Sequence, residues 1–112
     1  MSLDKAIALA RGNPISGLPR MAALIYDKKR LVGFGLNQRK SHPLQAKFCS
    51  HPDRILLHAE IAALANARQS VEGMVMYIAR VNARGEPRLA KPCVGCQAAL
   101  IEFELGDVIW TT

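Results

Sequence analysis

The sequence predicts a three-layer α/β/α domain built on a mixed sheet, and three observations carry that prediction. The 112 residues, 12.3 kDa, suit one domain spanning 1–112 with a modest core. Short apolar runs bounded by turn residues alternate with segments that repeat at helical spacing. The first two runs are separated by a turn alone, whereas the later ones are separated by helices. That order predicts an antiparallel hairpin first and then strands that lie parallel through right-handed helical crossovers.

Each element has a local reason. Ser2 can cap a first helix, in which Leu3, Ala6, Ile7 and Ala10 recur at helical spacing until Gly12 and Asn13 stop it. Pro14 to Arg20 reads as a loop. Met21 to Tyr26 and Leu31 to Leu36 are apolar runs joined by a turn at Asp27 to Arg30, a hairpin pattern. Asn37 to Pro52 reads as a long polar loop, because His42-Pro43 and His51-Pro52 both disfavour helix in the residue before proline. A loop of about 16 residues in so small a domain is more often functional than not. Asp53 is a candidate N-cap for a second helix through about Arg68, with Ile61, Leu64 and Ala65 on one stripe. Met74 to Val81 is a third strand and Asn82 to Pro87 a turn. Pro92 suits a helix start, so a last helix runs from Cys93 to Leu105, ended by Gly106, and Val108 to Trp110 is a short final strand.

Half of the residues are hydrophobic and 21% are charged, which excludes a disordered chain. Fifteen basic against nine acidic residues give a net charge of +6, which implies an anionic partner. The excess is local: residues 11–54 hold nine basic side chains and only two acids, Asp27 and Asp53. No apolar stretch approaches the roughly 20 residues that span a bilayer, and Met1 to Ala10 does not resemble a signal peptide. Three cysteines leave an odd count, and the spacing Cys93-Val-Gly-Cys96 fits metal binding or redox chemistry in a reducing compartment better than a disulfide framework. A soluble, cytoplasmic protein with no membrane partner is the expectation.

The chemistry-bearing residues form two groups, His58-Ala59-Glu60 near the start of the second helix and Pro92-Cys93-Val94-Gly95-Cys96 at the start of the third. One His and two Cys make three ligands of a tetrahedral zinc site. A catalytic site leaves the fourth position for water, whereas a structural one would need Cys49, His42 or His51 to complete it. Two cysteines three apart at a helix start can both face one ion, and the helix N-terminus favours thiolate. Glu60 lies too far round the helix to be an obvious ligand. It is close enough to reach a zinc-bound water, whose pKa falls to roughly 7. A carboxylate there can take the water proton and pass it to a ring nitrogen and then to leaving ammonia. Cys93 and Cys96 alone would also fit a non-catalytic zinc or redox binding module.

His-x-Glu followed by Pro-Cys-x-x-Cys resembles the zinc-dependent cytidine/deoxycytidylate deaminase superfamily, over about Met21 to Trp110. The resemblance implies the cytidine-deaminase-like fold, with zinc on His58, Cys93 and Cys96 and with Glu60 shuttling protons to and from a zinc-bound hydroxide nucleophile. It implies that the backbone at Ala59 and near Cys93 faces the base and that Asn37 contacts the sugar; as a bare residue, Asn37 equally suits a turn. Most members continue beyond the final strand with a further strand and helix, so a minimal domain lacking both is expected, similar in brevity to phage-encoded members.

Free-nucleoside cytidine deaminases are similar to one another in an Asn-x-Glu at this place, whereas here the stretch is Asn37-Gln38-Arg39. A cation replacing a carboxylate points to a phosphate, with Arg39, Lys40 and Lys47 as candidate contacts and His42 able to assist. The resemblance is therefore strongest to a deoxycytidylate-type enzyme that converts dCMP to dUMP and ammonia. A base in single-stranded DNA or RNA is the alternative, weakened by an aromatic content of 5%. Cys49 reads as a loop thiol, Trp110 and Phe103 as core or interface residues, and Met21, Met74 and Met76 as packing. A sheet edge at the last strand implies a homo-oligomer.

Overall fold

The computed structural model describes residues 2–48 and 56–112. The elements are α1 (Ser2–Arg11), β1 (Arg20–Asp27), β2 (Arg30–Leu36), α2 (Pro43–Phe48), α3 (Ala59–Ala67), β3 (Val75–Val81), β4 (Pro87–Arg88), α4 (Val94–Glu102) and β5 (Asp107–Trp110). The expected α/β domain with a mixed sheet is present. β1 and β2 form the antiparallel hairpin, and β3 and β5 are parallel across α4. β2 and β3, joined through α3, run in the same direction but are not neighbours: β1 lies between them and is antiparallel to both. β1 takes the middle because it is the most continuously apolar strand, with Ala22 to Tyr26 all buried. β2 alternates instead and leaves Leu31 and Phe34 exposed, as an edge strand can.

Alternation along the strands divides the core in two. Ala22, Leu24 and Tyr26 of β1 with Ala79 and Val81 of β3 pack against Ala6 and Ala10 of α1. Ala23, Ile25, Met76 and Ile78 face the opposite way, onto α3 and α4. Met21, Met74, Phe103 and Trp110 are partly buried against this second cluster, in keeping with their expected packing roles. Among the described residues no helix is long and apolar enough to cross a membrane.

α3 lies unusually close to the sheet, and this sets the height of the functional end. Its alanines meet glycines of β2: a Cβ on Gly35 would collide with Ala62 and Ala63, and one on Gly33 would crowd Ala63 and Ala67. Small residues on both partners let the backbones approach.

Three boundaries differ from expectation. The stretch 37–52 contains a helix, α2, which begins on Pro43; proline breaks a helix interior but is well placed in the first turn, where its missing N–H costs nothing. Leu44 and Phe48 anchor α2 to the core and Gln45 is buried. Helix α3 starts at Ala59, with His58 in the N-cap position, because Leu57 is still extended and bridges to Gln38. The Asp53 cap lies outside the described residues. Helix α4 stops at Glu102, earlier than Leu105, because Glu104 adopts φ 60°. There the Leu105 N–H donates to Leu100 O and the Glu104 N–H to Ile101 O, satisfying the terminal carbonyls in a Schellman arrangement.

Replacing Gly35 with alanine forces α3 off the sheet. Gly35→Ala is expected to lower stability by about 1–3 kcal/mol, measured by thermal or urea unfolding. A change below about 0.5 kcal/mol, within the scatter of ordinary surface substitutions, contradicts the close-approach account.

Candidate metal centre and active site

The N-termini of α3 and α4 converge. His58 is the N-cap of α3 and Cys93 the N-cap of α4, both with extended backbone, so each side chain projects from the end of its helix. Cys96 follows one turn into α4 and is buried. His58 Nδ1 lies 3.2 Å from Cys96 Sγ and 3.6 Å from Cys93 Sγ. The three ligand atoms all fall within 4.8 Å of one another, close enough to share one ion. Among the described residues no fourth His, Cys, Asp or Glu joins this group. His42 is occupied elsewhere, its Nδ1 accepting from the Leu44 N–H at 3.0 Å, while Cys49 and His51 lie outside the described residues.

The donors are electrically graded. The Cys93 thiol is pushed down to about 3 by hydrogen bonds from Cys96 and from His58, and the Cys96 backbone N–H also donates to its sulfur at 3.4 Å. Cys96 is raised far above the ordinary thiol range, because its S–H donates to Cys93 and because it is buried. His58 is raised by its hydrogen bond to Cys93, against the opposing effect of burial. These shifts favour the ionised form at Cys93 and the protonated form at Cys96 and His58. A cation that takes all three ligands displaces the protons held by Cys96 and His58.

Glu60 sits in the first turn of α3, 2% exposed, and its Oε1 has no hydrogen-bond partner among the described residues. Burial raises its pKa. It lines a cavity of about 400 Å³ together with His58, Cys93, Asn37, Arg80 and Lys91. A buried carboxylate oxygen left unpaired is costly, and such groups mark sites completed by a ligand or water.

Other expected site residues are placed unevenly. Asn37 lines the cavity, but its carboxamide also ties loops together. Oδ1 accepts from Asn13 Nδ2 at 2.7 Å and from the Met21 N–H at 2.9 Å, and Nδ2 donates to Pro19 O at 2.7 Å. One amide hydrogen is left for a ligand. Ala59 is fully buried between two lining residues and does not itself line the cavity. Arg39 donates to Ser16 O and lines a neighbouring hollow, and Lys40 is exposed with its carbonyl accepting from the Leu57 N–H, so neither reaches the cavity wall. Lys47 pairs with Glu102 at 3.2 Å, joining α2 to α4.

Two kinds of residue escaped the sequence reading. Gln45 Oε1 accepts the His58 N–H at 3.0 Å and so fixes the ligand's backbone. Nothing in the sequence flags a glutamine in a short helix that itself read as loop. Arg80 and Lys91 line the cavity. Arg80 did carry a signal, a charge where strand alternation calls for a core residue after Met76 and Ile78.

A family model described as the cytidine and deoxycytidylate deaminase zinc-binding region matches residues 2–112. The chain belongs to this deaminase family. Its three-donor cluster is the group positioned for the family's zinc, and the donor set, one imidazole and two thiols beside a carboxylate with one unpaired buried oxygen, suits that metal. No curated protein matches the chain. Among solved structures, the dCMP deaminase of cyanophage S-TIM5 in complex with dCMP and dUMP is similar at 17% identity and TM-score 0.69, covering 97% of this chain and 76% of that one. Acinetobacter baumannii RibD is similar at 22% identity and TM-score 0.61, covering 97% of this chain and 26% of that one. Cytidine deaminase from Mycobacterium tuberculosis is similar at 21% identity and TM-score 0.54, covering 96% and 79%. These likenesses establish the cytidine-deaminase fold.

The proton inventory of the His58, Cys93 and Cys96 cluster gives zinc binding a definite pH dependence. His58 and Cys96 are both raised, so their protons oppose the metal increasingly as pH falls, while Cys93 stays ionised. Apparent zinc affinity is expected to fall between about pH 8 and pH 6, with proton release seen as buffer-dependent heats in titration calorimetry. A flat affinity with no proton release contradicts this protonation pattern.

Proposed function

We propose that the protein is a zinc-dependent enzyme that deaminates a cytosine nucleotide by hydrolysis, with dCMP going to dUMP and ammonia. The observation that carries this reading is the unpaired, buried Oε1 of Glu60, in the wall of a cavity shared with His58 and Cys93. A purely structural zinc module has no use for a buried carboxylate oxygen left unpaired beside its ligands. The cavity, about 400 Å³, lies within the usual range for sites that hold one small molecule.

Zinc, when bound, supplies Lewis acidity that makes water a nucleophile at neutral pH. Glu60 does the proton work. Its raised pKa suits a group that takes a proton from water and returns it to the ring nitrogen, then delivers a proton to the departing amino group. A C–O bond forms at the ring carbon, the C–N bond to the amino group breaks, and ammonia leaves. Burial keeps bulk water away from Glu60, so the proton it carries goes to the substrate. His58, Cys93 and Cys96 hold the metal, Gln45 holds the His58 backbone, and Asn37 offers its remaining amide hydrogen at the rim. Arg39 and Lys40 remain candidates for substrates that extend past the cavity.

A cytosine nucleotide is favoured by the basic character of the chain and by the likeness to a dCMP deaminase. Val94 and Ile101, seven residues apart and so on one face of α4, are both exposed, which supports a homo-oligomer. The free thiols of Cys93 and Cys96 suit the reducing cytoplasm.

Zinc-loaded protein is expected to release ammonia from dCMP with the absorbance change of cytosine to uracil. Glu60→Gln should retain one zinc per chain and its melting temperature while losing turnover by about 10²–10⁴-fold. Activity that survives Glu60→Gln, or a wild-type chain inert towards dCMP, CMP and their nucleosides, contradicts the proposal.

A further inference from the structure

The catalytic cavity does not end at its own wall. Leu18, Pro19, Arg80 and Leu89 line it and also line an adjoining groove of about 890 Å³. Arg20, Arg80 and Arg88 stand along that groove, and its lining contains no carboxylate and no aromatic side chain. The guanidinium groups differ in their commitments. Arg20 donates to the carbonyls of Arg11 at 2.8 Å and Asn82 at 2.9 Å. Arg88 is paired with Glu86 at 3.5 Å. The Arg80 side chain makes no hydrogen bond or ion pair among the described residues, while its backbone N–H donates to Thr111 Oγ1 at 3.1 Å.

The strand explains where Arg80 points. Met76 and Ile78 face α3 and α4, and Arg80, two residues further along β3, shares that face. It pairs in register with Met21 on one side and Arg88 on the other. The helical cover ends before Arg80, so the side chain is exposed at the junction of cavity and groove.

We propose that Arg80 is the residue that selects phosphorylated over unphosphorylated substrate: the base occupies the cavity at Glu60 and the phosphate of the nucleotide lies at the junction against the Arg80 guanidinium. This rests on the proposed deamination of a cytosine nucleotide and adds the source of its phosphate specificity. A guanidinium with free donors matches phosphate oxygens bidentately, and the acid-free groove leaves the attraction uncompensated. The groove lacks the aromatic platforms on which single-stranded nucleic acid stacks, which favours a free nucleotide over a strand.

The test is the ratio of kcat/KM for dCMP to that for deoxycytidine in zinc-loaded protein. Arg80→Ala is expected to lower this ratio by about 10- to 100-fold, the size expected for losing a hydrogen bond to a charged group. The change should fall mainly in KM for dCMP, and Arg80→Lys should recover part of it. Arg80→Gln keeps the bulk and removes the charge, and it carries the test if the alanine variant does not fold. Arg39→Ala serves as comparison, since that guanidinium is engaged with Ser16. An unchanged ratio in the Arg80 variants, or a larger fall in Arg39→Ala, overturns the assignment. So does a short single-stranded oligodeoxynucleotide that inhibits at lower concentration than dCMP binds.

Where neither substrate is turned over, calorimetry with inorganic pyrophosphate decides. Binding by wild type that is lost in Arg80→Gln supports the phosphate site and overturns only the reading of the reaction. No binding, or binding unaltered by the substitution, overturns the site.

Discussion

His58 Nδ1, Cys93 Sγ and Cys96 Sγ meet where the N-termini of α3 and α4 converge, within 4.8 Å of one another. That junction joins two elements from opposite ends of the chain's second half. It also concentrates the positive ends of two helix dipoles on one thiolate, Cys93. His58 Nδ1 lies within hydrogen-bonding range of both sulfurs, which gathers the three donors about one point. The same donors are then already gathered for a cation. Glu60, one residue beyond Ala59 on the same helix, takes its place from this geometry and is left with an oxygen that no described group satisfies.

The sheet's packing sets how far α3 reaches. Glycines 33 and 35 of β2 lie under the alanines of α3, so the helix sits low on the sheet and carries His58 and Glu60 to the end where α4 begins. Helix α2 braces the arrangement from the side. Gln45 accepts the His58 N–H, and Lys47 reaches Glu102 on α4. Fold and site are thus one construction: small residues permit the close layer, and the close layer brings the donors together.

Much of this was legible in the sequence because it rests on local chemistry. His-x-Glu and Pro-Cys-x-x-Cys declare their roles by residue type and spacing, and apolar runs with helical or strand periodicity give the elements and the hairpin. What escaped depends on neighbours distant in sequence. The central place of β1 follows from two-sided burial, which a single run cannot reveal. Pro43 read as a breaker, though at a helix start it is an initiator. The cations were hardest. Residues 11–54 concentrate them along the chain, yet Arg39 turns to Ser16, while Arg80 and Lys91, from the less basic half, line the cavity. Charge density along a chain and charge density around a cavity are different quantities, and only the fold converts one into the other.

His58, Cys93 and Cys96 would hold zinc with three protein donors, leaving Glu60 outside the ligand set for proton transfer. X-ray absorption at the zinc edge on the zinc-loaded chain measures that shell directly. The prediction is two sulfur ligands at about 2.3 Å and nitrogen or oxygen ligands at about 2.0 Å. One of the latter should be replaced or shifted when dCMP is added. A third sulfur, which Cys49 would have to supply, or a shell without sulfur, would contradict it.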